Sequence, residues 1–274
     1  MEQIGIVAKV KSPLAAKAVA ELAGWLEDKN ISYIIDAESA QVAGIQSDLT
    51  KIDLINRADM LVVLGGDGTF LGVSRMIENR IVPILGVNLG SLGFLTEFAY
   101  EEMFPALERA ISGDYTYEDR IMLDVSISRE GKSVASYTVL NDLVINRGAL
   151  ARMVDVRVEV DKVFVNKYTA DGLIVATPTG STAYNLSANG PIVYPSLRAV
   201  IISPICPHTL SNRPIVIPDN VEVGLQLSFR DKIIVKRSKE VTRIIQSPFK
   251  NYYQLLRGKL KWGETIRQGA DEKC

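Results

Sequence analysis

The hydrophobic period of this chain changes near residue 115, and that change restricts the folds open to it. Before it, strand-like runs alternate with helical ones: Gln3–Lys9, a helical Pro13–Asp28, Ser32–Ile35, Met60–Leu64, a helix from Gly68 to about Asn79, Val82–Val87 and a helical Tyr100–Ser112. Such alternation calls for a parallel sheet covered by helices. After Tyr115 the period becomes two. Val154, Val156, Val158 and Val160 alternate with Asp155, Arg157, Glu159 and Asp161, the pattern of a half-buried strand with one wet face. Met122–Ser128, Ser136–Ile145, Leu173–Thr177, Ala199–Ile205, Val221–Leu227 and Lys232–Arg237 read as further strands, with Glu130 and Gly131 turning a hairpin between the first two. The expected fold is α/β followed by all-β: an α/β domain over residues 1–115 and a sandwich or partly closed sheet over 116–249. Asn251 to Leu260 has helical spacing, and 250–274 is expected to pack back on the first domain.

At the end of the buried run Met60–Leu64 the sequence turns through Gly65, Gly66, Asp67, Gly68 and Thr69. Three glycines in four positions allow a sharp turn and close backbone approach, and N–H groups at a strand's C-terminal end suit phosphate oxygens. In parallel sheets ligands bind at that end. A carboxylate there repels an anion unless it holds a metal ion or takes a proton from an attacking hydroxyl. The competing reading makes Asp67 the N-cap of the following helix. A second turn, Thr177 to Thr182, is rich in hydroxyl and N–H donors and precedes Ala183, Tyr184 and Asn185 at the start of a short helix. Tyr184 could cover a planar base there; the plainer reading is a capped helix with a core tyrosine.

Composition excludes several classes. The 274 residues are 47% hydrophobic, enough for one large or two medium cored domains. Apolar stretches are only strand-length, and MEQIGIVAKV lacks the regions of a signal peptide, so no membrane partner is expected. With 31 basic and 32 acidic residues the chain has no general nucleic-acid surface. Its two cysteines, Cys206 and Cys274, are spaced for neither a metal site nor a disulfide framework, which suits the cytoplasm and gives no metal ligands. Cys206 is expected to be a small buried hydrophobe. His208, the single histidine, reads as part of a surface loop, and Lys236 to Glu240 as a solvated strand end whose basic groups could meet phosphates.

These motifs together resemble the NAD kinase family. GGDGT at 65–69, VNLGSLGFLTE at 87–97, ND at 141–142 and DGLIVATPTGSTAYNLSANGPIVYPS at 171–196 carry the resemblance in order. ICPHTLSNRPIV at 205–216 and LLRGKLKWGE at 255–264 are similar to its bacterial branch. The resemblance implies a Rossmann-like α/β domain with a β-sandwich-like second domain. It also implies phosphoryl transfer from ATP or polyphosphate to the adenosine ribose 2′-hydroxyl of NAD, with magnesium or another divalent cation, in a homodimer or homotetramer. It implies Asp67 as catalytic base, with Gly65, Gly66, Gly68 and Thr69 on phosphate. Gly68 would stand beside Asp67 in the NAD site, Leu71 and Phe94 would meet the adenine side, Asn141 and Asp142 the ribose, and Asp171 the nicotinamide side. Thr182, Ala183, Tyr184 and Ser187 would line NAD, with Cys206 and His208 nearby. The rival readings are a lipid or small-molecule kinase sharing the GGDGT turn, and an NAD(P)-binding module without turnover. One departure stands out. Where the family carries a further hairpin with an Asp-Gly-Gln turn, Ser228 here runs directly into Phe229, Arg230 and Asp231. So abrupt a junction between two strands points either to a true deletion or to a stretch absent from the numbered chain, and strand register favours the second.

Overall fold

The computed structural model describes residues 3–10, 12–146, 153–209, 211–227 and 230–260. The chain forms two compact units, one of residues 1–118 with 243–274 and one of residues 119–242.

In the first unit β1 (Gln3–Ala8) is followed by α1 (Pro13–Asp28), β2 (Ser32–Ile35), α2 (Ala37–Val42), α3 (Lys51–Arg57), β3 (Met60–Gly65), α4 (Asp67–Ser74), β4 (Ile84–Asn88), the two-residue β5 (Phe98–Ala99) and α5 (Met103–Ile111). The strands β4, β3, β1 and β2 lie side by side in that order, all parallel. Every residue of β3 and β4 is buried, as the unbroken apolar runs require of strands covered on both faces. Ser12 caps α1 by accepting the Ala15 N–H at 3.3 Å, and Pro13 follows it. The α1 residues Ala15, Ala18, Val19, Leu22 and Leu26 recur at helical spacing and join one core with β1, β3, β4 and α5. Ile244 pairs parallel with Ile84, and a closing helix, Tyr252–Leu260, sets the Tyr252 ring 6.1 Å from that of Phe94.

Periodicity misses α2 and α3, which are too short to show a stripe and are announced instead by their caps Asp36 and Thr50. It also overextends α4. The Met76 and Ile77 N–H groups bond back to Val73 and Ser74, three residues rather than four, so the last turn tightens and the helix ends before the left-handed Asn79.

The second unit is antiparallel. It contains most of β6 (Tyr117–Arg129), then β7 (Lys132–Val139), β8 (Asp142–Asn146), β9 (Val154–Val160), β10 (Val163–Ala176), the short helix α6 (Tyr184–Ser187), β11 (Ala199–Pro207), β12 (Ile215–Pro218), β13 (Val223–Gln226) and most of β14 (Asp231–Ile245). Glu130 and Gly131, and again Asp161 and Lys162, have positive φ and turn the β6–β7 and β9–β10 hairpins. Val156, Val158, Leu173, Val175, Val200 and Ile202 face one core with Leu123, Val125 and Leu225. Ile174, Ala176 and Ile201 face the other way, against Val193 and the neighbourhood of α6.

One expectation is corrected here. Ser136–Ile145 is two strands, because Leu140 and Asn141 give their carbonyls to Thr177 Oγ1 (2.6 Å) and Thr177 N–H (2.8 Å) instead of to a ladder. The junction near Ser228 falls between two paired strands. Gln226 pairs with Lys232 and the Leu227 N–H donates to the Asp231 carbonyl at 3.2 Å, so β13 and β14 form a short hairpin; its tip, Ser228 and Phe229, lies outside the described residues.

Candidate functional site

In the first unit the site is built where β3 ends. The Gly66 backbone takes the N-cap position of α4 without a side-chain bond, which leaves Asp67 in the first turn. Asp67 does not cap its own helix. Its Oδ2 accepts the Phe94 N–H at 2.9 Å, and its Oδ1 accepts the N–H groups of Leu95 and Thr96 and the Thr96 hydroxyl, each at 3.1 Å. Thr96 is oriented in turn by Asn88, whose Nδ2 donates to Thr96 Oγ1 at 2.9 Å. A carboxylate offers about four acceptor positions, so Oδ1 is saturated and Oδ2 retains capacity for one further donor. The cradle requires Gly93, where a Cβ would collide with Asp67 Oδ1. Gly65 is required for the same kind of reason, a Cβ there meeting the Thr69 side chain.

Gly68 is exposed, and Asp67, Thr69, Leu71 and Phe94 are half-buried. Asp67, Gly68, Thr69, Leu71 and Phe94 therefore gather around the start of α4, with Leu71 one helical turn beyond Asp67. A cavity of about 490 Å³ opens beside this turn, lined by Gly66, Gly68 and Thr69, by the end of β1 and by Lys51. It lies at the switch point of the sheet, since the chain leaves β1 toward β2 on one side and returns at β3 on the other. The glycine motif announces the turn, but the cavity's lysines Lys9 and Lys51 carry no local signal. Among the described residues no group of three or more His, Cys, Asp or Glu side chains is arranged to hold a metal ion.

In the second unit the site is built where β8 begins and β10 ends. Asp142 pairs with Ala176, and a single 3-10 turn (Thr179–Thr182) leads from β10 into α6. Gly180 lies against the Asn141 backbone, where a Cβ would collide with the carbonyl. Its N–H donates to Thr177 Oγ1 at 3.0 Å. Asn185 is wholly buried and satisfied: its amide donates to the Ser181 and Pro191 carbonyls at 3.1 and 3.0 Å and accepts the Ser203 hydroxyl at 2.6 Å. It anchors α6 from beneath. Asn185→Ala should therefore cost about 2 kcal/mol or more through the groups it leaves unpaired. A thermal melt unchanged from the parent would refute that anchoring.

Asn141 Oδ1, Asp142 Oδ2 and Thr179 Oγ1 are buried in this unit without a hydrogen-bond partner. Unsatisfied buried acceptors are costly, and their grouping marks a place where hydroxyl donors are wanted. Burial pushes the Asp142 carboxyl above the usual carboxylate range, and a bond from the Tyr184 N–H offsets part of that rise. Between the ordinary and the raised value the folded chain keeps a proton that the unfolded chain has lost, so this group makes stability fall as pH rises. Asp142→Asn should consequently raise the melting temperature at neutral pH, with the gain shrinking below the ordinary carboxylate range. Melts across pH would expose the opposite, a gap that does not vary.

Tyr184 and Ser187 are exposed, Thr182 and Ala183 half-buried, so this segment presents one face outward. The tyrosine is 51% exposed and is thus no core wedge. Asp171 sits five residues before Ala176 on β10, about 16 Å along an extended strand. Alternation turns it to the face of Leu173 and Val175, whereas Asp142 shares the face of Ala176. Asp171 groups instead with Cys206 and His208: the pairs Ala170–Pro207 and Gly172–Ile205 flank Asp171 and Cys206, and the His208 N–H donates to the Thr169 carbonyl at 3.0 Å. Cys206 is not the buried hydrophobe expected. It is exposed with φ of 45°, next to the last residue of β11. Lys236 and Arg237 stand in the middle of β14 rather than at a strand end, paired with Glu222 at 2.7 Å and Asp219 at 3.1 Å.

The chain matches family models described as "ATP-NAD kinase N-terminal domain" over residues 4–115 and "ATP-NAD kinase C-terminal domain" over residues 140–266. It is 46% identical to an NAD kinase of Geobacter sulfurreducens over 283 residues, covering 96% of this chain and 100% of that one. That span exceeds the 274 residues present here, so the relative carries residues with no counterpart. Identity to an NAD kinase of Geobacter metallireducens is 47%, with 96% and 100% covered. Among solved structures, yeast NADH kinase complexed with NADH superposes with a TM-score of 0.85 at 28% identity, over 96% of this chain and 87% of that one. An Archaeoglobus fulgidus NAD kinase in complex with ATP gives 0.76 at 25% identity, over 94% and 98%.

Proposed function

The chain belongs to the NAD kinase family, and on that footing we propose that it transfers the terminal phosphoryl group of ATP to the adenosine ribose 2′-hydroxyl of NAD, making NADP. The observation that carries this reading is the Asp67 carboxylate, immobilised by four donors with one acceptor position left on Oδ2. That oxygen accepts the hydrogen of the ribose hydroxyl. As the hydroxyl oxygen bonds to phosphorus, the bond to the bridging oxygen of ADP breaks and the proton passes to Oδ2. Phosphoryl transfer has a loose transition state, so orientation of the hydroxyl matters more than the strength of the base. The uncapped start of α4 and the glycines Gly65, Gly66 and Gly68, with Thr69, hold phosphate oxygens. The one acceptor position left on Asp67 serves the ribose hydroxyl, so a divalent cation would be held by the nucleotide phosphates, where it would neutralise charge.

Asn141 and Asp142 receive ribose hydroxyls, which is what their unpartnered oxygens call for. Thr182, Ala183, Tyr184 and Ser187 line the dinucleotide, and Leu71 and Phe94 meet its adenine. Asp171, with Cys206 and His208, serves the nicotinamide end. The enzyme acts in the cytoplasm as a homodimer or homotetramer, a reading supported by the family resemblance and checked by sedimentation. Among the described residues no helix is long and apolar enough to cross a membrane. A coupled assay for NADP with the purified chain, ATP, magnesium and NAD tests the activity; binding of NAD with no NADP formed would reduce the protein to a binding module.

A further inference from the structure

The donors that hold Asp67 come from residues 94–96, and β4 lies directly against that segment. A Cβ on Gly86 would stand 2.9 Å from the Leu95 carbonyl oxygen and 3.0 Å from Thr96 Cα, so strand and segment are in backbone contact. Asn88, the last residue of β4, lies opposite Gly65, the last of β3. Adjacent strands thus bring this amide beside the turn that carries Asp67.

Asn88 is only 5% exposed, and a buried amide must find partners. Its Oδ1 accepts the Gly90 N–H at 2.6 Å, and its Nδ2 donates to Thr96 Oγ1 at 2.9 Å. The Gly90 N–H can only donate, so it faces the amide oxygen, and the NH₂ group is thereby turned to Thr96. Thr96 is wholly buried, and its hydroxyl has one proton to give. Because Asn88 presents a donor, that proton cannot point toward it and goes to Asp67 Oδ1, 3.1 Å away. The bonds run one way, from amide to hydroxyl to carboxylate, and each strengthens the next.

Three of the four donors on Asp67 are N–H groups of consecutive residues, and the fourth is this hydroxyl. It is the one donor whose direction another side chain sets. A hydroxyl without that guidance can turn a lone pair to Oδ1 and push the carboxylate away.

Resting on the kinase reading, we propose that Asn88 is a positioning residue for phosphoryl transfer: through the Thr96 hydroxyl it fixes the aim of Asp67 Oδ2 at the ribose hydroxyl. It acts on Thr96 and not on a substrate, so its effect falls on alignment.

The test is a double-mutant cycle read in kcat, with NADP formation from ATP and NAD as the assay. Asn88→Ser keeps an acceptor for the Gly90 N–H but is too short to reach Thr96. Asn88→Ser and Thr96→Val should each lower kcat roughly tenfold, while KM for ATP and the calorimetric affinity for NAD stay within about twofold. In the Thr96→Val background, Asn88→Ser should cost no more than about twofold, because no hydroxyl is left for it to direct. Thr96→Ser, which retains the hydroxyl, should recover most of the rate lost in Thr96→Val. A merely structural role would lower the melting temperature of both single variants without this coupling in kcat. Should Asn88→Ser fail to fold, Asn88→Asp takes its place: it has nearly the same shape and no N–H, and its loss should likewise shrink in the Thr96→Val background. Losses that multiply in the double variant, or Thr96→Ser as slow as Thr96→Val, would overturn the proposal. A parent chain that makes no NADP would overturn the kinase reading and this proposal together, whereas an active parent with independent losses would overturn the proposal alone.

Discussion

Asp67→Asn leaves a folded protein that binds NAD and turns over roughly 10²-fold more slowly, or worse. The amide can keep the three donors on Oδ1 by presenting its carbonyl oxygen to Leu95 and Thr96. Its NH₂ then faces the Phe94 N–H, which loses its acceptor, and takes the place of the oxygen that the ribose hydroxyl needs. One lost acceptor costs about 1–3 kcal/mol, a fall of a few degrees in melting temperature rather than unfolding. The chemical loss is larger because a donor now stands where the transferring proton must go. Measured kcat, calorimetric affinity for NAD and the melting temperature separate the two effects. Near-normal turnover would remove Asp67 from the reaction.

Gly93→Ala should produce a comparable loss of kcat, roughly 10²-fold, although residue 93 bears no functional group. Its backbone φ is not in the left-handed region, so alanine is conformationally allowed there. The added methyl collides with Asp67 Oδ1, the most heavily bonded atom of the site, and the carboxylate must swing away from Leu95 and Thr96. Displacement of about 1 Å is enough to cost two orders of magnitude when catalysis rests on alignment. The asparagine variant misplaces a proton acceptor and this one misplaces a position, so the pair tests the same group by independent routes. Full activity in Gly93→Ala would mean that the cradle yields without moving Oδ2.

The long parallel strands were readable from composition alone, because a strand buried on both faces admits only apolar residues; Met60–Gly65 is such a run. The hairpin at Glu130 and Gly131 was readable because two positive-φ residues have a local signature. The interruption of Ser136–Ile145 was not, since it depends on Thr177, thirty-six positions away from Asn141, competing for its carbonyl. Nor was the exposure of Cys206, which follows from how β10 and β11 pair rather than from the residue.

At the site the same division holds. Glycine spacing and hydroxyl-rich turns are local requirements of the backbone, so GGDGT and TPTGST could be read as candidate ligand turns before any fold was known. That Asp67 turns away from its own helix toward residues 94–96, that Gly93 makes room for it, and that Lys9 and Lys51 meet at one cavity are facts of contact between segments far apart in the chain. Such contacts depend on which strands lie adjacent, here β1 beside β3. Local sequence specifies turns and buried runs because their energetics are settled within a few residues, whereas the orientation of a carboxylate is decided by whichever donors the folded chain brings to it.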